Sequence, residues 1–210
     1  MERKVDYKKT YKEFYLPPQK PVMTNIPEMK FFMIDGKGDP NGEAFGEVVQ
    51  ALYSLAYGVK MMPKSGVTPG GYYEYTVFPL EGVWNMDSGA KDFSLLDKDK
   101  FIYTVMIRQP EFVTDQLAIE MIEKTKKKKP NPVLDNVCFG SIEEALCVQM
   151  MHVGSYDEEP VSFAKMEEFC IENGYKRIGH AHREIYLSDP RKTEVSKLKT
   201  VLRFRVEKIK

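Results

Sequence analysis

Apolar residues recur along the chain with two periods, and the switch between them divides it into elements. "MKFFMID" (29–35) is a compact apolar run closed by "GKGDP", which predicts a strand followed by a turn. Phe45, Val48, Val49, Leu52, Leu55, Ala56 and Val59 then fall three and four apart, as on one helix face, and Gly58 marks the expected helix end. "GGYYEYTVFPLEGVW" (70–84) and "DKFIYTVMIRQP" (99–110) predict two strands, the second stopped by Pro110. "EFVTDQLAIEMIEKTKKKK" (111–129) predicts a connecting helix whose lysines crowd the last turns, where positive charge complements the helix dipole.

Past that connection the order restarts. "EALCVQMMHVG" (144–154) predicts a strand ending in glycine, as the first one does. Val161, Phe163, Met166, Phe169 and Cys170 make a helix stripe, with Gly174 as its left-handed cap. "RIGHAHREIYLSDP" (177–190) and "LKTVLRFRVEK" (198–208) predict partner strands. The expected fold is α+β: tandem β-α-β-β repeats, two antiparallel sheet halves with pseudo-twofold symmetry. The first half is 29–110, the linker helix 111–129 and the second half 143–208, within a domain of 29–210. Residues 1–28, rich in Lys, Tyr and Pro with no sustained period, read as an N-terminal extension. The halves should meet in a groove at the pseudo-axis, a junction of the kind that ligand sites favour.

Composition removes several function classes. Lys+Arg and Asp+Glu balance at 31 each, so no global field draws the chain to nucleic acid or an anionic membrane. Apolar runs fall far short of the ~18 residues that cross a bilayer, and the basic N-terminus lacks the apolar segment of a secretion signal. Cys138, Cys147 and Cys170 are far apart and odd in number, which argues against a disulfide framework or zinc ribbon and for a reducing cytoplasm. "KTKKKK" has no interleaved aromatics and reads as a solvated helix end. The chain has no G-x-S-x-G, phosphate loop, dinucleotide fingerprint or paired Cys–His motif. A carboxylate-plus-water mechanism stays open, with no cofactor expected. The 12 Tyr, 12 Phe and 12 Met residues would furnish a core and also a cleft for flat apolar molecules.

Within "HREIYLSDP" a glutamate occupies a mid-strand position. Strand alternation puts His180, His182, Glu184 and Tyr186 on one face and Ala181, Arg183, Ile185 and Leu187 on the other. That polar face is either a wet outer surface or the wall of a ligand cleft, and the pattern leaves both open. Alternate strand residues stand about 6.8 Å apart, so His180 and Glu184 are roughly 13 Å apart and the three do not easily converge on one metal ion; His180 and His182 alone would need a partner from elsewhere. Trp84 sits near a strand end beside Glu81 and Gly82, as core or as rim. Tyr53 and Tyr57, one helical turn apart and off the main stripe, form a half-exposed edge or an aromatic shelf.

"PLEGVW", "MIRQPEFVT", "VQMMHVGSYDEEP" and "HREIYLSDPRKTEVSKLKTVLR" together resemble the GyrI-like small-molecule-binding family, from about residue 25 to the C-terminus. That resemblance implies the tandem β-α-β-β fold with a cleft between the halves. It also implies that Glu184 faces the ligand, with Trp84, Tyr75, Tyr53, Tyr57, Met106, Met150, His152 and His182 as candidate wall residues. No segment before residue 29 is long or periodic enough for a helix-turn-helix, so the chain looks like the stand-alone branch. That branch includes hydrolases of spirocyclopropyl-dienone DNA alkylators. On that resemblance Glu184 would be a base with a pKa raised by an apolar cleft, and Tyr186 the hydroxyl donor. The implied partner is a planar hydrophobic or aromatic small molecule. The alternatives are a non-catalytic sequestering protein and an interaction partner of a DNA-processing enzyme.

Overall fold

Strand pairing places the two predicted halves edge to edge in one antiparallel sheet. The computed structural model describes residues 4–86 and 101–209, so the first two positions expected for the strand over 99–110 lie outside the described residues. Short helices α1 (Tyr7–Thr10) and α2 (Lys12–Tyr15) come first, followed by β1 (Val22–Ile26). The first half is β2 (Met29–Lys37), α3 (Glu43–Lys60), β3 (Leu80–Met86) and β4 (Phe101–Gln109). Helix α4 (Asp115–Lys128) and β5 (Cys138–Ile142) lead to the second half. It comprises β6 (Ala145–Val153), α5 (Glu159–Glu172), β7 (Tyr175–Arg177), β8 (His182–Tyr186) and β9 (Lys199–Lys208).

The order β1-β6-β9-β8-β3-β4-β2-β5 is symmetric about its centre. Each half runs first strand, third strand, second strand, and the second strands β3 and β8 pair across the pseudo-axis. The outer strands are exchanged. β1, which precedes β2, flanks β6, while β5, which precedes β6, flanks β2. Val22↔Gln149 to Ile26↔Ala145 and Met29↔Ile142 to Met33↔Cys138 continue one register, so the two ends of the order run into each other.

Several expectations change on this frame. Residues 1–28 are not simply extended; α1 and α2 fold there, and β1 enters the sheet. The stretch 70–79 stays outside regular strands, with Gly71 at φ 74°, and β3 begins only at Leu80. Trp84 is therefore inside β3, which runs on to Met86. The expected strand 177–190 is split between β7 and β8 by Gly179 at φ 65°. Gly58 does not end α3, which continues to Lys60. A Cβ at Gly58 would lie 2.7 Å from Met121 Sδ, so α4 packs closely there and the Met121 side chain would have to shift for any larger residue. The connecting helix begins at Asp115, capped by Thr114, whose side chain accepts from the Leu117 N–H.

Helices α3 and α5 cover one face of the sheet. Val48, Leu52, Leu55 and Val59 of α3 bury against Phe32, Ile34, Val105 and Ile107, while Met166 and Cys170 of α5 bury against Val148, Leu202 and Phe204. The N-terminal segment covers the opposite face through polar contacts. Tyr15 donates to Glu81 (3.1 Å), Gln149 to the Glu13 carbonyl (2.6 Å) and Arg203 to the Phe14 carbonyl (2.7 Å).

Behind those contacts lies a buried charge network that alternation alone could not reveal. Arg183 Nη1 is 2.7 Å from Glu81 Oε2, and its Nε is 3.1 Å from Glu144 Oε1. Arg203 Nη1 reaches Glu144 Oε2 at 3.0 Å. Burial alone would push the Glu144 carboxyl up, but the two guanidinium groups outweigh it and hold it below the usual carboxylate range. Removing one member strands the others as unpaired buried charges. Arg183→Ala should cost about 3–5 kcal/mol of stability by urea unfolding; a loss below about 1 kcal/mol would mean the network relaxes into solvent.

Candidate functional site

Between α3, α5 and the β3–β8 seam lies a cleft of about 1170 Å³, large for a single-molecule site. Helix α3 has a second stripe that builds one wall. Phe45, Val49, Tyr53 and Tyr57 recur every fourth residue and face the cleft, while Val48, Leu52, Leu55 and Val59 face the sheet, so Phe45 and Val49 leave the single stripe expected for them. Trp84 forms the floor, with ring centroids 5.9 Å from Phe45 and 5.2 Å from Tyr103. Gly82 precedes it on the same face. A Cβ there would lie 2.6 Å from Trp84 Nε1, so only glycine lets the indole lie back over the strand.

Gly82 also pairs with Glu184, and Trp84 with His182, across the seam. That register gathers the polar residues into one chain of hydrogen bonds. Trp84 Nε1 donates to the Tyr186 hydroxyl (2.7 Å), which donates to Glu184 Oε2 (2.8 Å). His182 Nε2 donates to Glu184 Oε1 at 2.9 Å, its ring packed 4.7 Å from that of Phe163 on α5. Burial first, then the charge of Glu184, pushes the Tyr186 hydroxyl well above the ordinary phenol range, so it keeps its proton for Glu184. The Glu184 side chain is only 13% exposed, largely covered at the cleft wall.

Facing Glu184 is a second carboxyl that sequence reasoning missed. Glu159, in the first turn of α5, is 6% exposed and lines the same cleft. Burial, then the charge of Glu184 and a hydrogen bond with it, raise the Glu159 carboxyl well above the ordinary carboxylate range. Tyr156 stands beside the pair, its hydroxyl pushed up to about 12 by burial and then by the charges of Glu159 and Glu184. In the sequence Glu159 is one of three consecutive acids at a helix start, a pattern that reads as dipole compensation. Only the tertiary packing distinguishes it. Its neighbour Glu158 completes a capping box with Ser155, while Glu159 turns inward.

Six of the ten residues singled out from the sequence share this cleft: Glu184, Tyr186, Trp84, Tyr53, Tyr57 and His182. The other four do not line it. Tyr75 is buried among Phe78, Phe112 and Tyr73 beyond the wall. Met106 pairs with Glu81 on the opposite face and packs near Phe31 and Cys147. Met150 lies beneath α5 with Met166 and Cys170. His152 is locked in place, its Nε2 donating to the Ser155 carbonyl and its Nδ1 accepting from Ser162 Oγ, both 2.9 Å. Among the described residues, no group of His, Cys, Asp or Glu is placed to hold a metal ion, and no helix is long and apolar enough to cross a membrane.

Comparison with known proteins matches this architecture. The model of the GyrI-like small molecule binding domain matches residues 19–207. The chain belongs to the GyrI-like family. A Listeria innocua hydrolase is 41% identical over 97% of this chain and 100% of its own, with a TM-score of 0.88. An uncharacterized conserved protein from Listeria innocua is 44% identical over 97% of this chain and 100% of its own, with a TM-score of 0.89. The EcmrR C-terminal domain is 15% identical over 90% of this chain and 98% of its own; with a TM-score of 0.52, it shares the fold. No curated protein matches the chain.

Two expectations follow from the site's packing. Gly82→Ala should displace the indole, break the Trp84–Tyr186 hydrogen bond and cost about 1–3 kcal/mol. The emission of Trp84, the chain's only tryptophan, should shift to the red, and an unchanged spectrum would refute the close packing. Glu159 has a raised pKa in the fold, so the stability it contributes is complete below the ordinary carboxylate range and is lost as pH rises through its raised value. Glu159→Gln should therefore melt progressively higher than wild type as pH is taken from about 4 to 8, and a pH-independent difference would contradict this assignment.

Proposed function

We propose that the cleft binds planar hydrophobic small molecules and that Glu184 activates water to hydrolyse cyclopropane-bearing electrophiles among them. The arrangement would serve cytoplasmic detoxification. The observation that carries this reading is the carboxylate of Glu184, fixed through both oxygens by Tyr186 and His182 on the wall of an aromatic cleft. Family membership supports small-molecule binding, and the relative described as a hydrolase supports a chemical step.

The chemistry suits the geometry. A flat dienone would lie against Trp84 and the Phe45–Tyr53 wall, excluding water from all but the carboxylate end. Glu184 accepts a proton as water attacks the cyclopropane methylene. The carbon–carbon bond breaks toward the ring, which becomes aromatic as a phenolate. With a parent pKa of about 10, a phenolate is stable enough to take its proton from solvent. Tyr186 therefore serves Glu184 rather than the substrate: its hydrogen points at Oε2 and its lone pair receives the indole N–H.

Glu184→Gln should lower ring opening of a spirocyclopropyl dienone at least about hundredfold, followed by mass spectrometry of the phenolic product. Ligand binding, read by quenching of Trp84 emission, should survive. Stoichiometric quenching by wild type without product would instead identify a sequestering protein, and the absence of both would discard the cleft as a ligand site.

A further inference from the structure

We propose a second substrate class for this cleft: oxiranes carried by flat aromatic groups, opened by water to diols with Glu159 as the acid and Glu184 as the base. The proposal shares Glu184 with the reading above and adds a residue that reading does not use.

Glu159 is built to hold one orientation. His152 clamps the Ser155 carbonyl on one side of it and the Ser162 hydroxyl on the other, and the Ser155–Glu158 capping box fixes the turn between. Its Oε1 is buried without a hydrogen-bond partner, an expensive arrangement for a group with only a structural role. The charged and titratable groups around it are Glu184, His182 and Tyr186 from β8, with Tyr156 and Asp157 from the preceding turn. Their balance is acidic, which favours one proton on the carboxyl pair.

Acid and base thus stand at the same end of the cleft, and this restricts the chemistry. In a spirocyclopropyl dienone the oxygen that gains charge lies across a six-membered ring from the carbon attacked. Glu159 cannot reach that oxygen while Glu184 attends to the water. In an oxirane the oxygen that gains charge is bonded to the attacked carbon, within reach of a neighbouring acid. An alkoxide is also far more basic than a phenolate, so its departure needs the proton that a phenolate does not. The balance is complete with water as the only co-reactant. The water oxygen bonds to carbon, the carbon–oxygen bond breaks with its electron pair moving to oxygen, and Glu159 supplies the proton to that oxygen. Glu184 takes the proton lost by water and passes it back to the neighbouring Glu159, which restores both carboxyls.

The test uses trans-stilbene oxide and a spirocyclopropyl dienone with the full chain and with Glu159→Gln and Glu184→Gln. Wild type should form the diol above the buffer rate, and in ¹⁸O-water the label should enter the diol in the first turnover. Glu159→Gln should reduce diol formation at least tenfold more than it reduces dienone opening, while Glu184→Gln should reduce both. Dienone opening by wild type without diol would overturn this proposal and leave the earlier one intact; diol without dienone opening would do the reverse. Equal losses from Glu159→Gln on both substrates would remove Glu159 as the acid. Label in a protein carboxylate after one turnover would make Glu184 a nucleophile and overturn its role as base. The wild-type assay decides the activity even if a variant fails to fold.

Discussion

Everything at the cleft depends on a guanidinium group behind it. Arg183 sits one residue from Glu184 on the opposite face of β8, bound to Glu81 across the seam and to Glu144. Burying that charge is costly, and the two carboxylates that meet it make it tolerable. The pairing has one register. Slipping β8 by one residue against β3 would turn Arg183 toward the aromatic cleft and Glu184 into the network. The ion pair thus fixes which face each residue shows, and with it the alignment of Gly82 with Glu184 and of Trp84 with His182.

From that alignment follows a division of labour among the cleft's polar groups. Trp84, Tyr186 and Glu184 form a line in which each hydroxyl or N–H has one assigned partner. His182 closes the other carboxylate oxygen. Glu159 differs in having an oxygen left over. Burial and the charge of Glu184 raise the Glu159 carboxyl well above the ordinary carboxylate range, while Glu184 keeps both oxygens engaged by its neighbours. Two carboxyls of one residue type thus stand in different settings at one place.

Much of this was legible in the sequence, for identifiable reasons. The repeat was visible because glycine-closed strands and 3.6-period stripes recur in both halves. Strand parity placed His182, Glu184 and Tyr186 together correctly, since it depends only on alternation. Trp84 and the Tyr53–Tyr57 pair also reached the cleft, the tyrosines because they stand off the stripe that meets the sheet. Parity within one strand says nothing about which face a partner strand presents, and Met106 went to the wrong side for that reason. Met150 lies on the right face but under α5. Gly58 was misread because a glycine that ends a helix and one that admits a neighbouring helix look alike in one dimension. Glu159 was hidden among adjacent acids, and the buried Arg183–Glu144–Arg203 group was invisible because its members are far apart in the chain.

The exchanged outer strands carry a consequence for how the two halves relate. Each half's first strand is flanked by the short strand that leads into the other half. Two separate copies of one half could complete the same sheet by mutual donation, with α4 as the tether that fuses them into a single chain. Because both ends of the sheet are tied across, the halves cannot swing apart like jaws to admit a guest. Fitting guests of different size falls to side-chain rearrangement along α3 and α5, around a frame that keeps its shape.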